Sequence, residues 1–549
     1  MIRHRILLAV AALGCTSLAR AQGGLDWNLQ AGLAPPGLNL NALFGTALEL
    51  DDGLLVVGSN GKQNVGSSPD GAVFTWRRTA GGWWEPLPLL TPPIAGLGGN
   101  FGRGLSLSGE RLLVGAPLED AGGVNASGAA HLYDLDPGGG GWQLAASFAP
   151  AAAAPADNYG FTVTLDGDRC AVMPKSNGFP ASAPMLLFRR SSTGEWVSDG
   201  QIPKPPTVGA SGWSASLSGD LIAVPYESAD GVTPDSGVVE IHRRGSSGWT
   251  LEATLAPSDG PAFGTFGRSV SLDGTRVAIG RGSHGVLGPA YIYVRDGAGN
   301  WTLEQQLVPT DPVLGLGFGF SIDLKGDRLA VGSHMIGIAP HPGSAHVYRL
   351  QAGSWQLESI VEGETVPPVV TLEGVARDVA IDATSVALGA GQSDIQINPF
   401  SVQSRGAAFV YEPSGSQSLE AHPVLLHLWA GGTQQLALDF GSSAAGQLYI
   451  VLGSISGTTP GLSVDGLLLE LVPDGYTNTT LVAPNTAPLG ATFGALDGSG
   501  RGLATFSIPP NAPPSLAGLV LHHAAVVLDT SGPVSVSAVS PPSPLQLVP

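Results

Sequence analysis

From Phe266 the chain reads FGRSVSLDGTRVAIG. Apolar residues alternate with small polar ones up to Leu272, an Asp-Gly pair follows, and a β-branched, apolar run leads to Ile279. A period of two predicts a half-buried strand. Asp-Gly between two such runs predicts a two-residue hairpin turn, because glycine tolerates positive φ and the turn matches the strand twist. The same phrase begins at Phe44, Phe101, Tyr159 and Phe318, and weaker copies begin at Ser211 and Val375. The seven starts lie 57, 58, 52, 55, 52 and 57 residues apart. A fixed period of this size marks a supersecondary unit that cannot bury its own apolar face and must stack on its neighbours.

Each unit shows a third run of strand character, as in Gly128 to Tyr133, Gly343 to Tyr348 and Gly406 to Tyr411. A fourth follows a glycine-rich turn and is marked by Trp84, Trp142, Trp196, Trp249, Trp301 or Trp355. Four short strands per unit without helical periodicity predict the blades of a β-propeller, so the fold class is all-β. The seventh unit ends at Tyr411 without a tryptophan, whereas Trp27-Asn-Leu-Gln30 resembles the marked strands. We therefore expect the N-terminal strand to complete the last blade and close the ring. A blade that begins with the tryptophan strand needs no such exchange, and the sequence leaves both orders open.

After Glu412 the repeat stops. Residues 413–418 read as a linker, and residues 419–549 as a smaller β-sandwich-like module with strands near 434–440, 446–453, 466–472, 502–508, 519–528 and 534–539. Gly498 to Gly502 reads as a hairpin connection and 541–549 as a final edge strand. Residues 1–21 have the form of a signal peptide: Arg3 and Arg5, an apolar stretch from Ile6 to Gly14, and a cleavage site at Ala19-Arg-Ala21. The propeller would then span 22–412, in a secreted or cell-surface protein. Leu13-Gly14-Cys15 offers a rival lipoprotein site. No later apolar stretch is long enough for a spanning helix.

Composition changes the picture in three ways. Glycine (79) and proline (44) fall at regular turn positions, so their abundance does not signal disorder. The formal charge is −19, and about −22 without the three leader arginines, with no basic cluster; this argues against nucleic acid as a partner. Only Cys170 would survive processing, which leaves no intrachain disulfide, and its place in an apolar strand suits a small buried hydrophobe.

The phrase from Phe101 to Pro117 resembles the FG-GAP repeat, which implies a seven-bladed propeller like that of integrin α chains. The bare Asp-Gly or Ser-Gly turn resembles the bacterial form of the repeat, and the C-terminal module resembles those on other secreted bacterial proteins. Integrin-type repeats commonly carry a calcium loop rich in carboxylates. Asp166-Gly-Asp168 and Asp273-Gly274 lack that spacing, so no cofactor is expected and calcium does not carry over.

Other chemical signals have plain readings beside them. Gly280 to Gly285 matches a dinucleotide pattern, but a strand and not a helix is predicted next, so a blade loop explains it. His346 occupies a strand position filled by Phe74, His131, Tyr291 and Phe409, which marks it as packing; His334 and His341 alone make a poor metal set. His522 and His523 are neighbours on a strand and point to opposite faces. Glu119, Asp120, Glu227, Asp230 and Asp235 lie in loops after second strands, on one face of the ring, as a polar-ligand site or as solvated acids. The recurring tryptophans read as packing between blades. Trp213 stands where other units carry Arg103, Phe161, Arg268 or Phe320. Trp213, Glu227, Asp230 and Asp235 are therefore the candidate ligand contacts. No nucleophile elbow, zinc-protease motif or P-loop is present, and no catalytic residue is named. Three readings follow: a non-catalytic binding or adhesion scaffold for an extracellular protein or glycan; a polysaccharide lyase or hydrolase acting in the propeller mouth; and a structural envelope component.

Overall fold

The computed structural model describes residues 27–33 and 43–548, except 62–69, 79–83, 95–98, 139, 153, 176–182, 206–213, 232, 258–264, 283–287, 312–313, 335–342, 364–373, 392–393, 399–400, 405, 414–417 and 423–424. The expected signal peptide, Trp213 and His341 lie outside the described residues.

Seven four-stranded antiparallel sheets follow one another, one per repeat. Blade 1, for example, consists of Phe44–Asp51, Leu54–Ser59, Val73–Arg78 and Trp84–Pro86, from the axis outward. Blade 7 takes Asp378–Ile381, Val386–Ala390 and Ala407–Pro413 from its own repeat and Trp27–Leu33 from the N-terminus. Trp27 pairs with Pro413 and Leu29 with Tyr411, so the outer strand of the last blade comes from the start of the chain. A second link closes the same joint through a parallel bridge between Gly406 of blade 7 and Phe44 of blade 1.

The core lies between blades. Val56 and Val73 of blade 1 pack with Phe101, Leu112 and Val114 of blade 2, and Leu221 and Ile241 of blade 4 with Val277 and Tyr291 of blade 5. Phe44, Phe101, Phe266 and Phe318 are buried, and each meets a ring on the third strand of its own blade edge-on, as Phe318 meets His346 at 5.0 Å. The packing role expected for His346 is observed. The glycine that follows has φ near +85° (Gly102, +86°), and Gly115, in a second strand, lies directly against the carbonyl of Gly160 in the next blade. A side chain at Gly115 would force the blades apart.

The tryptophans reach backward to the preceding blade. Trp142 Nε1 donates to Thr75 (2.9 Å), Trp249 to Asp199 (3.1 Å), Trp301 to Glu252 (2.9 Å) and Trp355 to Glu304 (3.1 Å). Arg328 of blade 6 lies 5.0 Å from the ring centroid of Trp27. These are inter-blade contacts, as the sequence predicts. Cys170 is 1 % exposed, and burial pushes its thiol well above the usual range.

Two further sheets, one of four and one of six strands, face each other across Leu436, Leu438, Tyr449, Val451 and Val527. Gly498 to Gly502 does not join a hairpin: Phe493–Ala495 and Arg501–Ile508 belong to different sheets. Asp497 tightens this crossover by accepting from Ser499 and Arg501 N–H. The last strand, Ser543–Val548, is not an edge; Leu425–His427 pairs parallel along its outer side. Helix Gly475–Val482, capped by Asp474, was not legible in the sequence. It seats Tyr476 against His523, with 2.8 Å between hydroxyl and Nε2. No helix among the described residues is long and apolar enough to cross a membrane.

Candidate functional site: the central channel

The seven inner strands run alongside one another around a channel of about 630 Å³. The alternating polar residues of the repeated phrase line it, and they do two different jobs. Those in the middle and at the turn end tie blade to blade. Those at the opening end make a mouth.

At the turn end, the residue before each turn accepts from the turn N–H of the next blade. Asp51 accepts from Gly109 (2.7 Å), Ser108 from Gly167 (3.0 Å), Asp166 from Gly219 (2.6 Å), Ser218 from Gly274 (3.0 Å), Asp273 from Gly326 (2.6 Å) and Asp382 from Gly53 (3.2 Å). The exception is Lys325, which has no acceptor to offer and instead reaches Asp51 at 3.3 Å. Two residues deeper, Ser106, Thr164, Ser216, Ser271 and Asp323 each accept from the following blade at 2.8–3.0 Å. Blade 7 has Ala380 at that position. Asp378, two residues earlier, takes over by accepting from Leu48 N–H at 3.0 Å.

Glu49, Asp323 and Asp378 therefore share one part of the channel. Burial, reinforced by their mutual repulsion, drives Glu49 well above the usual carboxylate range. Asp323 is also raised by burial, and Asp378 is held at about 7, again chiefly by burial. Among the described residues, no group of three or more His, Cys, Asp or Glu side chains is arranged to hold a metal.

The mouth is built from the third residue of each phrase. In blade 1 this is Thr46, bonded to Asn60 at 2.9 Å. Arg103, Phe161, Arg268, Phe320 and Arg377 fill the same place in blades 2, 3, 5, 6 and 7, and all line the channel. The Arg103 guanidinium lies 4.2 Å from the ring centroid of Phe161, and Arg268 lies 4.3 Å from that of Phe320. Lys175 is 4.5 Å from Phe161. Burial first, and then the nearby charges of Arg377 and Arg268, lower Arg103 to about 10, still protonated at neutral pH. Burial lowers Arg268 and Arg377 as well. The Arg377 side chain has Asp378 as a neighbouring charge but no hydrogen-bond partner among the described residues.

The acidic loops lie at this same end, because second strands run back toward the mouth. Among the described residues, no hydrogen bond or ion pair joins the acids of blade 2 to those of blade 4. Glu119 pairs with His131 at 2.8 Å inside blade 2, and Asp120 accepts from Ala126 N–H at 2.8 Å. Glu227 reaches Arg268 at 3.7 Å, and Asp230, which is exposed, accepts from Asp235 N–H at 3.1 Å. Glu227 thus touches the mouth, while Asp230 and Asp235 shape the loop beside it. Arg103 and Arg268 stand in the same column of the phrase as Trp213, but the sequence singles out the tryptophan there and gives no sign that the arginines of separate repeat copies converge on one mouth. The strand Arg276–Gly280 is followed by the strand Ala290–Arg295, so the described part of the glycine pattern at Gly280 leads into sheet.

A family model described as FG-GAP repeat matches residues 90–133, 249–293 and 301–348. No curated protein matches the chain. Among solved structures, Sqt1 of Saccharomyces cerevisiae is 11% identical with a TM-score of 0.39, over 71% of this chain and 100% of that one. The periplasmic gluconolactonase PpgL of Pseudomonas aeruginosa is 15% identical with a TM-score of 0.39, over 65% and 98%. The β-propeller domain of the trilobed protease of Pyrococcus furiosus is 11% identical with a TM-score of 0.36, over 62% and 89%. With seven stacked blades observed and three stretches matched by the family model, this chain carries FG-GAP repeats folded as a β-propeller.

Proposed function

We propose that the protein is a secreted, non-catalytic binding or adhesion scaffold that presents the mouth face of its disc to an extracellular protein or glycan. The observation that supports this is the set of three guanidinium groups at the mouth, two of them seated on aromatic rings of the next blade. Prepositioned charged groups on a rigid frame suit recognition, because little side-chain freedom is lost on binding. The loop with Glu227, Asp230 and Asp235 borders this face, and Trp213 holds the third position of the phrase in blade 4, so these four remain proposed contacts. The C-terminal module would handle placement. No cofactor is assigned.

One observation favours a second reading, a polysaccharide lyase or hydrolase. A carboxyl held near neutrality inside a channel, as Asp378 is, has the proton affinity that general acid–base chemistry uses. Its hydrogen bond to Leu48 N–H gives it a structural duty as well.

The test is a glycan and protein array probed with the whole secreted chain, followed by product analysis on each ligand found. Retention without turnover is expected. Shortened or modified glycan would replace the scaffold reading with the enzymatic one.

A further inference from the structure

The mouth and the channel beneath it differ in chemistry, and that difference selects a ligand. Three guanidinium groups, Arg103, Arg268 and Arg377, face a confined space and lower one another's proton affinity. A guanidinium laid over a ring keeps its N–H donors in its own plane, which suits an in-plane fork to a carboxylate. Glu227 approaches one of the three at 3.7 Å, and the guanidinium of Arg377 has no hydrogen bond among the described residues, only its backbone N–H donating to Gly389. An anion at this point relieves the repulsion between the arginines.

Deeper in, the wall changes to hydroxyls and carboxyls: Ser106, Thr164, Ser216 and Ser271, then Asp323 and Glu49. Hydroxyls and carboxyls of this kind can exchange hydrogen bonds with a polyol. The volume of about 630 Å³ falls in the range of pockets that hold small ligands.

We infer that the channel mouth binds a uronate residue of an acidic glycan, with the carboxylate on the arginines and the sugar hydroxyls directed to the hydroxyl and carboxyl wall. This rests on the binding-scaffold reading and names its ligand class. The chain as a whole is acidic, so attraction is confined to within about one Debye length of the mouth, roughly 8–10 Å at physiological salt.

The test is isothermal titration of the whole chain with trigalacturonate, galactotriose, free glutamate and inorganic phosphate. Trigalacturonate should bind and galactotriose should not, with affinity falling as salt rises. Arg377→Gln should weaken trigalacturonate about tenfold or more, the scale of one charge-assisted fork. If that variant does not fold, as judged by its melting temperature, Arg103→Gln serves as the second. Equal binding of galactotriose, preference for glutamate or phosphate, or indifference to both substitutions overturns the inference. If the array finds a protein or neutral glycan while trigalacturonate fails to bind, the scaffold reading survives and the uronate does not. If trigalacturonate binds and is cleaved, the ligand class survives and the non-catalytic reading falls.

Discussion

The carboxylate of Asp273, at the tip of blade 5, accepts a hydrogen bond from the N–H of Gly326 in blade 6 at 2.6 Å. The residue before the glycine is thus both a turn former and a clasp, which explains why serine alternates with aspartate there. Asp273→Ala should cost about 1 kcal/mol of stability, and Asp273→Ser much less, since Ser108 and Ser218 make the same bond. Denaturant midpoints at constant slope measure this. A serine variant as weak as the alanine one would mean that only turn propensity is at stake.

The tryptophan at the back of each blade should dominate local stability. Trp355 is 2 % exposed and donates to Glu304, so Trp355→Ala should cost about 3–5 kcal/mol. Thermal unfolding with two probes would check it. A loss below about 1 kcal/mol would mean that the outer strand is not coupled to the neighbouring blade.

Acid should weaken the fold through buried histidines. Burial lowers His346 and His522 to about 4 and His523 to about 3, against an ordinary value near 6.5. The unfolded chain binds these protons first, so the stability that each neutral ring contributes is complete above about pH 6.5 and is lost as pH falls toward the folded values. At His346 this amounts to at most ~3 kcal/mol. His346→Phe, the residue that blades 1 and 7 carry in the same place, should flatten part of the acid limb of a stability–pH curve. An unchanged acid limb would remove His346 from the account.

Asp378 has the opposite sign. Its folded value of about 7 lies above the unfolded one, so its contribution is complete below about pH 4 and lost as pH rises through 7. Asp378→Asn keeps an acceptor for Leu48 N–H and should gain stability relative to the parent at pH 8 but not at pH 4. The reverse order would show that the ionised carboxylate is the stabilising form.

Calcium should matter little. The turn carboxylates are engaged with backbone N–H groups, as Asp166 is with Gly219 at 2.6 Å. Melting temperatures in calcium and in chelator should differ by less than a few degrees, since a ligand bound only by the native state raises stability by mass action. A large rise with calcium would point to a site among the loops.

The repeat made the blades legible because period-two alternation and Asp-Gly pairs report local backbone geometry. The closing strand was legible too, since Trp27 resembles Trp301 and Trp355 and its blade lacked a tryptophan. The clasps were not, because an acceptor contributed by one repeat to the next leaves no local pattern. The mouth was hidden for a related reason. Arg103 and Phe161 are 58 residues apart in sequence, yet stack at 4.2 Å. Helix Gly475–Val482 was missed because its polar, β-branched composition is a poor helix former, held here by the Asp474 cap.

The pairing of Trp27–Leu33 with Ala407–Pro413 also sets a schedule for biosynthesis. The first strand emerges about 380 residues before its partner exists, which at ordinary ribosomal rates is roughly 20–80 s. Throughout that interval six blades can stack, but the ring stays open and the early strand has no neighbour to add to. The final joint forms only after blade 7 is complete, so a ribosome stalled anywhere before Ala407 leaves an unclosed arc with a bare edge at each end.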